Sequence, residues 1–302
     1  MAQTEYGTLV YRGDYYDNIG DDIQSLAAIQ HLPRIDHHIP IDEVHTFRSH
    51  SATAAVKVIM NGWFTSNPDA WPPSPSVHPL FVSFHVSHQF WPGYPNPGPN
   101  GLRVPAEILL ADESLAYLRR YQPIGCRDLT TLQRLQERGV DAYFSGCLTL
   151  TLQREPVATT KDILVVDVNC DEAILLRDAP RDVRSAVRYL THTMSQAGRL
   201  SAEQRLDAAN ALIQQYASAS FVITSRLHCA LPCLALGTPV LFVLPQYDLG
   251  RLPGLLELMN RASFEEISDG GFQIPWTSPP PNPLGWQELA AQLRTRCAQF
   301  TS

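Results

Sequence analysis

The chain has no excess of positive charge, no long apolar run and few cysteines. Its 302 residues include 23 Lys and Arg against 30 Asp and Glu, which gives a formal net charge of −7. Nucleic-acid-binding proteins normally have a basic excess along one face, so this balance argues against that class. No apolar run approaches the roughly 18 residues of a membrane span. The sequence begins without a basic segment followed by an apolar one, so we expect a cytoplasmic protein.

The six cysteines do not follow the pattern of a metal site or a disulfide framework. No Cys-x-x-Cys occurs, and Cys229 and Cys233 lie four residues apart on a predicted helix. These two could act as a pair of ligands, but no third or fourth ligand is nearby. We therefore interpret the cysteines as small buried apolar side chains.

The length of the chain predicts two domains. Single hydrophobic cores stop growing near roughly 250–300 residues, and 44% of these residues are hydrophobic, enough for sizeable cores. A polar stretch with a proline, residues 153–160, separates two apolar regions. We therefore expect an N-terminal domain at 1–155 and a C-terminal domain at 156–302.

Apolar strands alternate with amphipathic helices, which is typical of an α/β fold with parallel sheets. The predicted strands are residues 8–11, 56–60, 80–84, 123–126, 163–168, 221–224 and 239–243. The predicted helices are residues 21–31, 114–121, 128–138, 181–195, 201–217, 227–236 and 286–300. The pattern predicts two Rossmann-like domains facing each other across a cleft, and the last helix could pack back on the N-terminal domain.

The most informative motif follows the strand at 221–224. Ser225, Arg226 and His228 stand where that strand ends and the next helix begins. A helix N-terminus attracts anions, arginine adds a bidentate fork for carboxylate or phosphate, and histidine exchanges protons near neutral pH. The alternative is structural, with Arg226 paired to an acid at the domain interface and His228 capping a turn. The position at the carboxyl edge of the sheet favours a functional site.

Two further motifs occupy equivalent positions in the N-terminal half. Arg127 follows the strand at 123–126, and Asp128 after it is the expected N-cap of the next helix. After the first strand, Asn18 and Gly20 precede a helix in which Gly20 would permit a tight turn and Asp21 would act as the cap. Arg127 is predicted to point into the same cleft as Arg226.

Together these motifs resemble the polysaccharide pyruvyl transferase family. The resemblance rests on Asn-x-Gly-Asp at 18–21, Arg-Asp-x-x-Thr at 127–131, Ser-Arg-Leu-His at 225–228 and Gly-Thr-Pro-Val at 237–240. It covers roughly residues 9 to 250, and residues 226–240 are its most specific part. The chain departs from the family at 61–63, where Asn-Gly-Trp replaces a glycine-rich turn, and at 146–147, where Gly-Cys replaces Asp-Pro.

The resemblance implies transfer of pyruvate from phosphoenolpyruvate to a sugar as a ketal, on a fold similar to the two-domain GT-B glycosyltransferases. The acceptor would be a sugar of an exopolysaccharide or cell-surface glycan precursor, including a lipid-linked oligosaccharide. Phosphoenolpyruvate is then the donor substrate, and neither a cofactor nor a metal is needed. The sequence leaves open whether the protein forms a homo-oligomer.

Site residues follow from the resemblance and from the motifs. The catalytic assignments are His228 as proton donor, with Arg226 and Arg127 holding the donor substrate. The predicted substrate-binding residues are Asn18, Gly20, Asp21, His85, His88, Ser225 and Arg251. Of these, His85 and His88 follow a strand and precede aromatic residues, so we interpret them as a platform for the acceptor sugar.

Two other functions stay open at this point. A GT-B-type glycosyltransferase using a nucleotide sugar would share the architecture and an arginine near the diphosphate. It would normally carry a glutamate-containing nucleotide-ribose motif after the cleft strand, and no glutamate occurs between Val243 and Glu257. The other alternative is a non-catalytic relative that binds glycans.

Overall fold

The computed structural model describes residues 4–49, 55–65, 67–87, 105–246 and 249–302. Its first sheet has the strand order β2-β1-β3-β4-β5-β6, with neighbouring strands parallel. The strands and helices of this part are β1 (Glu5–Val10), α1 (Ile19–Ile29), β2 (His37–Pro40), β3 (Val56–Trp63), β4 (Val77–His85), α2 (Pro105–Leu109), α3 (Asp112–Arg119), β5 (Ile124–Cys126), α4 (Leu129–Glu137) and β6 (Ala142–Phe144). This part is the N-terminal domain.

The second sheet has the order β11-β10-β9-β7-β8 and is also parallel. Its strands and helices are β7 (Ile163–Val166), α5 (Glu172–Leu175), α6 (Arg181–Ala186), β8 (Val187–Leu190), α7 (Ala202–Ser218), β9 (Phe221–Thr224), α8 (Leu227–Leu236), β10 (Val240–Leu244), β11 (Asn260–Ser263), α9 (Phe264–Ser268) and α10 (Trp286–Thr301). Two separate parallel sheets with helices confirm the predicted α/β class with two domains. The boundary at 155 lies between the sheets and stays a prediction.

The structure corrects one predicted helix, residues 181–195. Only α6 is helical there, and Val187–Leu190 forms β8 instead. This strand pairs with β7 from Ile163 to Val166, so hydrogen bonds to a distant strand outweigh the local helical preference of the segment. The loop after β8 consequently reaches the cleft between the two domains.

The domains share a hydrophobic core. Ile23 of α1 and Val82 of β4 belong to the same buried cluster as Val166 of β7 and Ile213 of α7. In addition, α1 packs directly against α7. The carboxyl ends of both sheets therefore face each other in a fixed arrangement, which positions the loops that form the site.

The last helix, α10, packs against β3 and β4 of the first sheet. Its buried side chains Ala290, Leu293 and Cys297 join the shared core. Near its end, the backbone oxygen of Thr301 accepts a hydrogen bond from Tyr6 Oη at 2.9 Å, so α10 covers part of the first sheet. None of the helices in the described ranges combines the length and apolar character needed to span a membrane.

Candidate active site

A cavity of about 460 Å³ lies between the carboxyl ends of the two sheets. Residues of both domains line it: Tyr15, Tyr16, Asp17, Asn18, Asp21, Trp63, His85, Ser87, Arg127, His192, Thr193, Arg226, Leu227, His228 and Arg251. The cavity is large enough for a small organic ligand. Its wall brings together arginines and histidines from distant parts of an acidic chain.

Most of the residues predicted for the site line this cavity. They are Asn18, Asp21, His85, Arg127, Arg226, His228 and Arg251. Gly20 and Ser225 do not line it, although both lie next to residues that do. His88 falls outside the described residues.

Arg127 is buried at the carboxyl end of β5. Arg127 is 3% exposed. Its backbone N–H donates a hydrogen bond to the backbone oxygen of Phe84 at 2.9 Å, which holds the turn after β5 against β4. Its Nε is shielded from solvent and has no hydrogen-bond partner, and the guanidinium forms no ion pair with any described residue. A buried cation without a carboxylate partner is costly, so the site is suited to an anionic ligand that compensates the charge.

Arg226 is oriented by an acid from the neighbouring strand. Its Nε donates to Asp167 Oδ2 at 2.8 Å, and the same oxygen accepts the backbone N–H of His192 at 2.8 Å. Asp167 follows β7 with a φ of 47°, a left-handed backbone that turns its carboxylate toward Arg226. Arg226 therefore pairs with an acid and also lines the cavity, so the two alternatives predicted for this residue do not exclude each other. Within the described residues, its other guanidinium nitrogens form no hydrogen bond.

His228 lies in the first turn of α8, at the positive end of that helix dipole. Its Nε2 is shielded from solvent and has no hydrogen-bond partner among the described residues. Burial lowers the pKa of His228 well below its usual value, and the cations Arg127 and Arg251 add to this effect. The imidazole is therefore neutral at pH 7.

The start of α1 differs from the prediction. Asn18, rather than Asp21, is the N-cap, and its side chain accepts the Gly20 N–H at 3.2 Å. Gly20 therefore lies inside the first turn of the helix and does not form a tight turn. A β-carbon at Gly20 would lie 3.1 Å from His192 Nδ1 and 3.1 Å from the β-carbon of His228. The missing side chain allows the two domains to approach each other at the site.

Asp21 is buried in the cavity wall. Gln24 Nε2 donates to its Oδ1 at 3.2 Å. Burial, together with the neighbouring charge of Asp22, raises the pKa of Asp21 to about 7. This carboxyl can therefore gain or lose a proton near neutral pH.

His85 and Asp128 form a buried pair at the carboxyl ends of β4 and β5. The His85 Nδ1 and Asp128 Oδ2 atoms are 2.6 Å apart. Asp128 also caps α4 as predicted, because its Oδ1 accepts the Thr131 N–H at 2.8 Å. Burial, and then the charge of Arg127, lower the pKa of His85 to about 4.

The loop after β8 supplies site residues that the sequence analysis missed. His192 and Thr193 line the cavity, and two backbone hydrogen bonds tie this loop to the first domain. The Ile19 N–H donates to the His192 oxygen at 2.9 Å, and the Met194 N–H donates to the Asp17 oxygen at 2.7 Å. Because the sequence predicts a helix over 181–195, the pattern does not place His192 at the cleft.

Aromatic residues of the wall were also missed. Tyr15, Tyr16 and Trp63 line the cavity, and Trp63 belongs to the segment where the chain departs from the family pattern. The Tyr15 and Tyr16 rings contact edge to face, with centroids 5.3 Å apart. A cluster of Asp, Tyr and Asn after the first strand was visible in the sequence and could have indicated a ligand-binding loop.

The fold is similar to several solved structures at low sequence identity. One is a functionally uncharacterised protein, KP1_0663, from Klebsiella pneumoniae, with 12% identity, a TM-score of 0.42 and coverage of 80% of this chain and 84% of that one. Another is a UDP-N-acetylglucosamine 2-epimerase, with 11% identity, a TM-score of 0.47 and coverage of 99% and 95%. A third is the Escherichia coli heptosyltransferase WaaC with ADP, with 12% identity, a TM-score of 0.32 and coverage of 97% and 99%.

Sequence comparison gives a more specific result. No curated protein matches the chain. The model of the polysaccharide pyruvyl transferase family does match, over residues 109–247, and this stretch contains Arg127, Arg226 and His228. The resemblance predicted from the motifs is thereby confirmed: residues 109–247 carry the sequence pattern of the polysaccharide pyruvyl transferase family.

Proposed function

We propose that this protein transfers pyruvate from phosphoenolpyruvate to two hydroxyl groups of a sugar, forming a ketal on a polysaccharide or its precursor. The family match supports the general activity, a polysaccharide pyruvyl transferase. The observation that carries the donor assignment is the wall of the cavity. A chain of net charge −7 concentrates the cations Arg127, Arg226 and Arg251 there, as a trianionic donor requires.

The arginines suit the two anionic groups of phosphoenolpyruvate. Arg127 is buried and makes no ion pair with a described residue, so a bound carboxylate or phosphate would compensate its charge. Arg226 is held by Asp167 through Nε, which leaves the end of the guanidinium to form a bidentate contact. Arg251 adds a third positive charge at the cavity wall.

His228 is suited to protonate the enol carbon. Without a ligand it is neutral, because burial and the arginines disfavour the imidazolium. Bound carboxylate and phosphate offset the positive charge of the arginines and raise the pKa of His228. His228 therefore gains its proton when the donor substrate binds.

The proposed reaction proceeds in two stages. A sugar hydroxyl attacks C2 of phosphoenolpyruvate while C3 takes the proton of His228, which gives a tetrahedral phosphorylated intermediate. Phosphate then leaves, and a second hydroxyl of the same sugar attacks C2 and closes the ring. The scheme uses acid–base groups and arginines of this chain only.

The aromatic residues fit the acceptor. Tyr15, Tyr16 and Trp63 offer apolar ring faces beside polar groups at the same cavity, a combination that binds the faces and hydroxyls of a sugar ring. His85 lies on the same wall. The acceptor would therefore be the sugar at the end or in the body of a glycan precursor, with or without a lipid carrier.

The test is incubation with phosphoenolpyruvate and a panel of p-nitrophenyl hexosides that have free 4- and 6-hydroxyls, and with lipid-linked glycan extracts. We expect phosphate release that depends on the acceptor, and a product heavier by one pyruvate minus one water. His228→Gln is the inactive control. Glycosyl transfer from a nucleotide sugar, or glycan binding without phosphate release in any mixture, would overturn the proposal.

A further inference from the structure

We propose that His85, held by Asp128, is the base that takes the proton of the attacking sugar hydroxyl. This inference rests on the proposed function, and it changes the role of His85 from a sugar platform to a catalytic group. It is drawn from the geometry of the pair, from its place on the cavity wall and from the proton balance of the reaction.

The pair is fixed from two sides. Asp128 Oδ1 accepts the Thr131 N–H at 2.8 Å, so the carboxylate is anchored to the first turn of α4. Asp128 Oδ2 accepts from His85 Nδ1 at 2.6 Å, so the ring is anchored to the carboxylate. Asp128 is fully buried and His85 is 5% exposed, which leaves the ring little freedom to rotate. Such a constellation orients a base before the substrate arrives.

The pairing also fixes the position of the imidazole proton. An ionised carboxylate only accepts hydrogen bonds, so Nδ1 carries the proton and Nε2 keeps its lone pair. Among the described residues, Nε2 has no hydrogen-bond partner, while the ring lines the same cavity as His228. The two histidines thus belong to opposite domains and share one substrate space.

The charges around His85 keep it in the basic form. Burial lowers the pKa of His85, and the charges of Arg127 and Arg251 add to this effect, whereas the hydrogen bond and charge of Asp128 oppose it. The ring is therefore neutral at pH 7. His85 is therefore ready to accept a proton at the start of the reaction, when His228 has one to donate.

With this base, the proton balance of the reaction closes. As the O–C2 bond forms, His85 Nε2 takes the hydroxyl proton, the double-bond electron pair moves to C3, and C3 takes the proton of His228. As the C2–O bond to phosphate breaks, His85 returns its proton to the leaving phosphate. The second hydroxyl then attacks C2 and gives its proton to His228, so both histidines end as they began.

Three variants test the assignment. His85→Gln removes the base, and we expect a loss of about 10²–10⁴-fold in kcat with little change in phosphoenolpyruvate binding by calorimetry.

Asp128→Asn keeps the cap of α4, because asparagine caps as well as aspartate, but it no longer selects the Nδ1–H tautomer. We expect a smaller loss in kcat and an acid limb of the pH–rate profile that moves to lower pH. Asp171→Asn is the matched control, because Asp171 caps the short helix α5 and makes no hydrogen bond or ion pair with a histidine of the described ranges.

The outcomes separate this inference from the proposed function. If wild-type protein releases no phosphate with any acceptor, the proposed function fails. If wild-type protein is active and His85→Gln keeps near-normal kcat and the same acid limb, only the base assignment fails. A large loss with Asp21→Asn, combined with a near-normal rate for Asp128→Asn, would assign the base to Asp21 and overturn the inference.

Discussion

Asp22 and Arg205 form a buried bidentate ion pair that joins the two domains. Arg205 Nε lies 3.1 Å from Asp22 Oδ1, and Arg205 Nη2 lies 2.8 Å from Asp22 Oδ2. The side chains are 0% and 2% exposed and stand 183 positions apart in the chain. The pair links α1 to α7, and Asp22 directly follows Asp21, which lines the cavity.

Asp22→Asn is therefore expected to destabilise the whole protein. The change removes the carboxylate that makes both described hydrogen bonds to the buried Arg205 guanidinium, and breaking such a buried pair typically costs about 3–5 kcal/mol. Urea unfolding at pH 7 measures it, with Asp207→Asn on the exposed side of α7 as the control. A free energy of unfolding within about 0.5 kcal/mol of wild type would contradict this reading.

Arg127→Met is expected to weaken phosphoenolpyruvate binding without lowering the stability of the fold. The buried guanidinium has no ion-pair partner among the described residues, so its removal should leave the ligand-free melting temperature unchanged or higher. Phosphoenolpyruvate affinity should fall at least about tenfold, because the loss of a charged hydrogen bond costs about 1.5–3 kcal/mol. Calorimetric titration and thermal melting give both numbers. Arg188→Met on the exposed face of β8 is the control, and a marked drop in its affinity would argue for a nonspecific charge effect.

Binding of phosphoenolpyruvate is expected to take up protons through His228. The ligand-free pKa of His228 lies well below its usual value, so the ring is neutral at pH 7 and gains a proton when the anion enters. Calorimetry in two buffers of different ionisation enthalpy counts the protons. At pH 7 the wild type should take up more protons than His228→Gln, by at most about one per site. Equal proton uptake by the two proteins would exclude His228 as the group that gains a proton when phosphoenolpyruvate binds.

Asp21 should make stability depend on pH. Its pKa is about 7 in the folded chain and about 3.9 when unfolded, so the folded state holds the proton more tightly. This contribution is fully present below the unfolded pKa and is lost as pH rises through about 7. Between pH 5 and pH 8, wild type should lose more stability than Asp21→Asn, as measured by urea midpoints. Parallel pH curves for the two proteins would show that Asp21 titrates normally.

Local patterns were sufficient to predict the central strands and the turn that carries Arg226 and His228. A buried apolar strand followed by Ser-Arg-Leu-His is short-range information, and the structure places that turn at the cavity. The helix at 181–195 was wrong because β8 forms only by pairing with β7, which no local window contains. Asp167 was visible as an acid at the end of a strand, but its pairing with Arg226 requires the β9–β7 order.

The pairing of His85 with Asp128 could not be predicted for the same reason, because it too depends on which strands are neighbours. The two residues are 43 positions apart, and they meet because β4 pairs with β5 at Phe84 and Cys126. From the sequence, Asp128 could be recognised as an N-cap, which it is, but its second oxygen had no visible partner. Likewise, the sequence predicts a tight turn at Gly20, whereas the structure shows that Gly20 lies in the first turn of α1 and close to His228. This approach depends on how the two domains pack together, which the sequence pattern does not contain.

The position of α10 has a consequence for how the chain is made. Tyr6 lies at the start of the first sheet, and the helix that covers it is translated only after the strands of both domains. While the ribosome is still producing the second domain, the surfaces that Leu293 and Cys297 later bury stay open to water. Domains usually fold in order as they emerge, but this N-terminal domain can complete its packing only after α10 has left the exit tunnel. Slow translation of the second half would therefore lengthen the time during which the nascent first domain needs protection by chaperones.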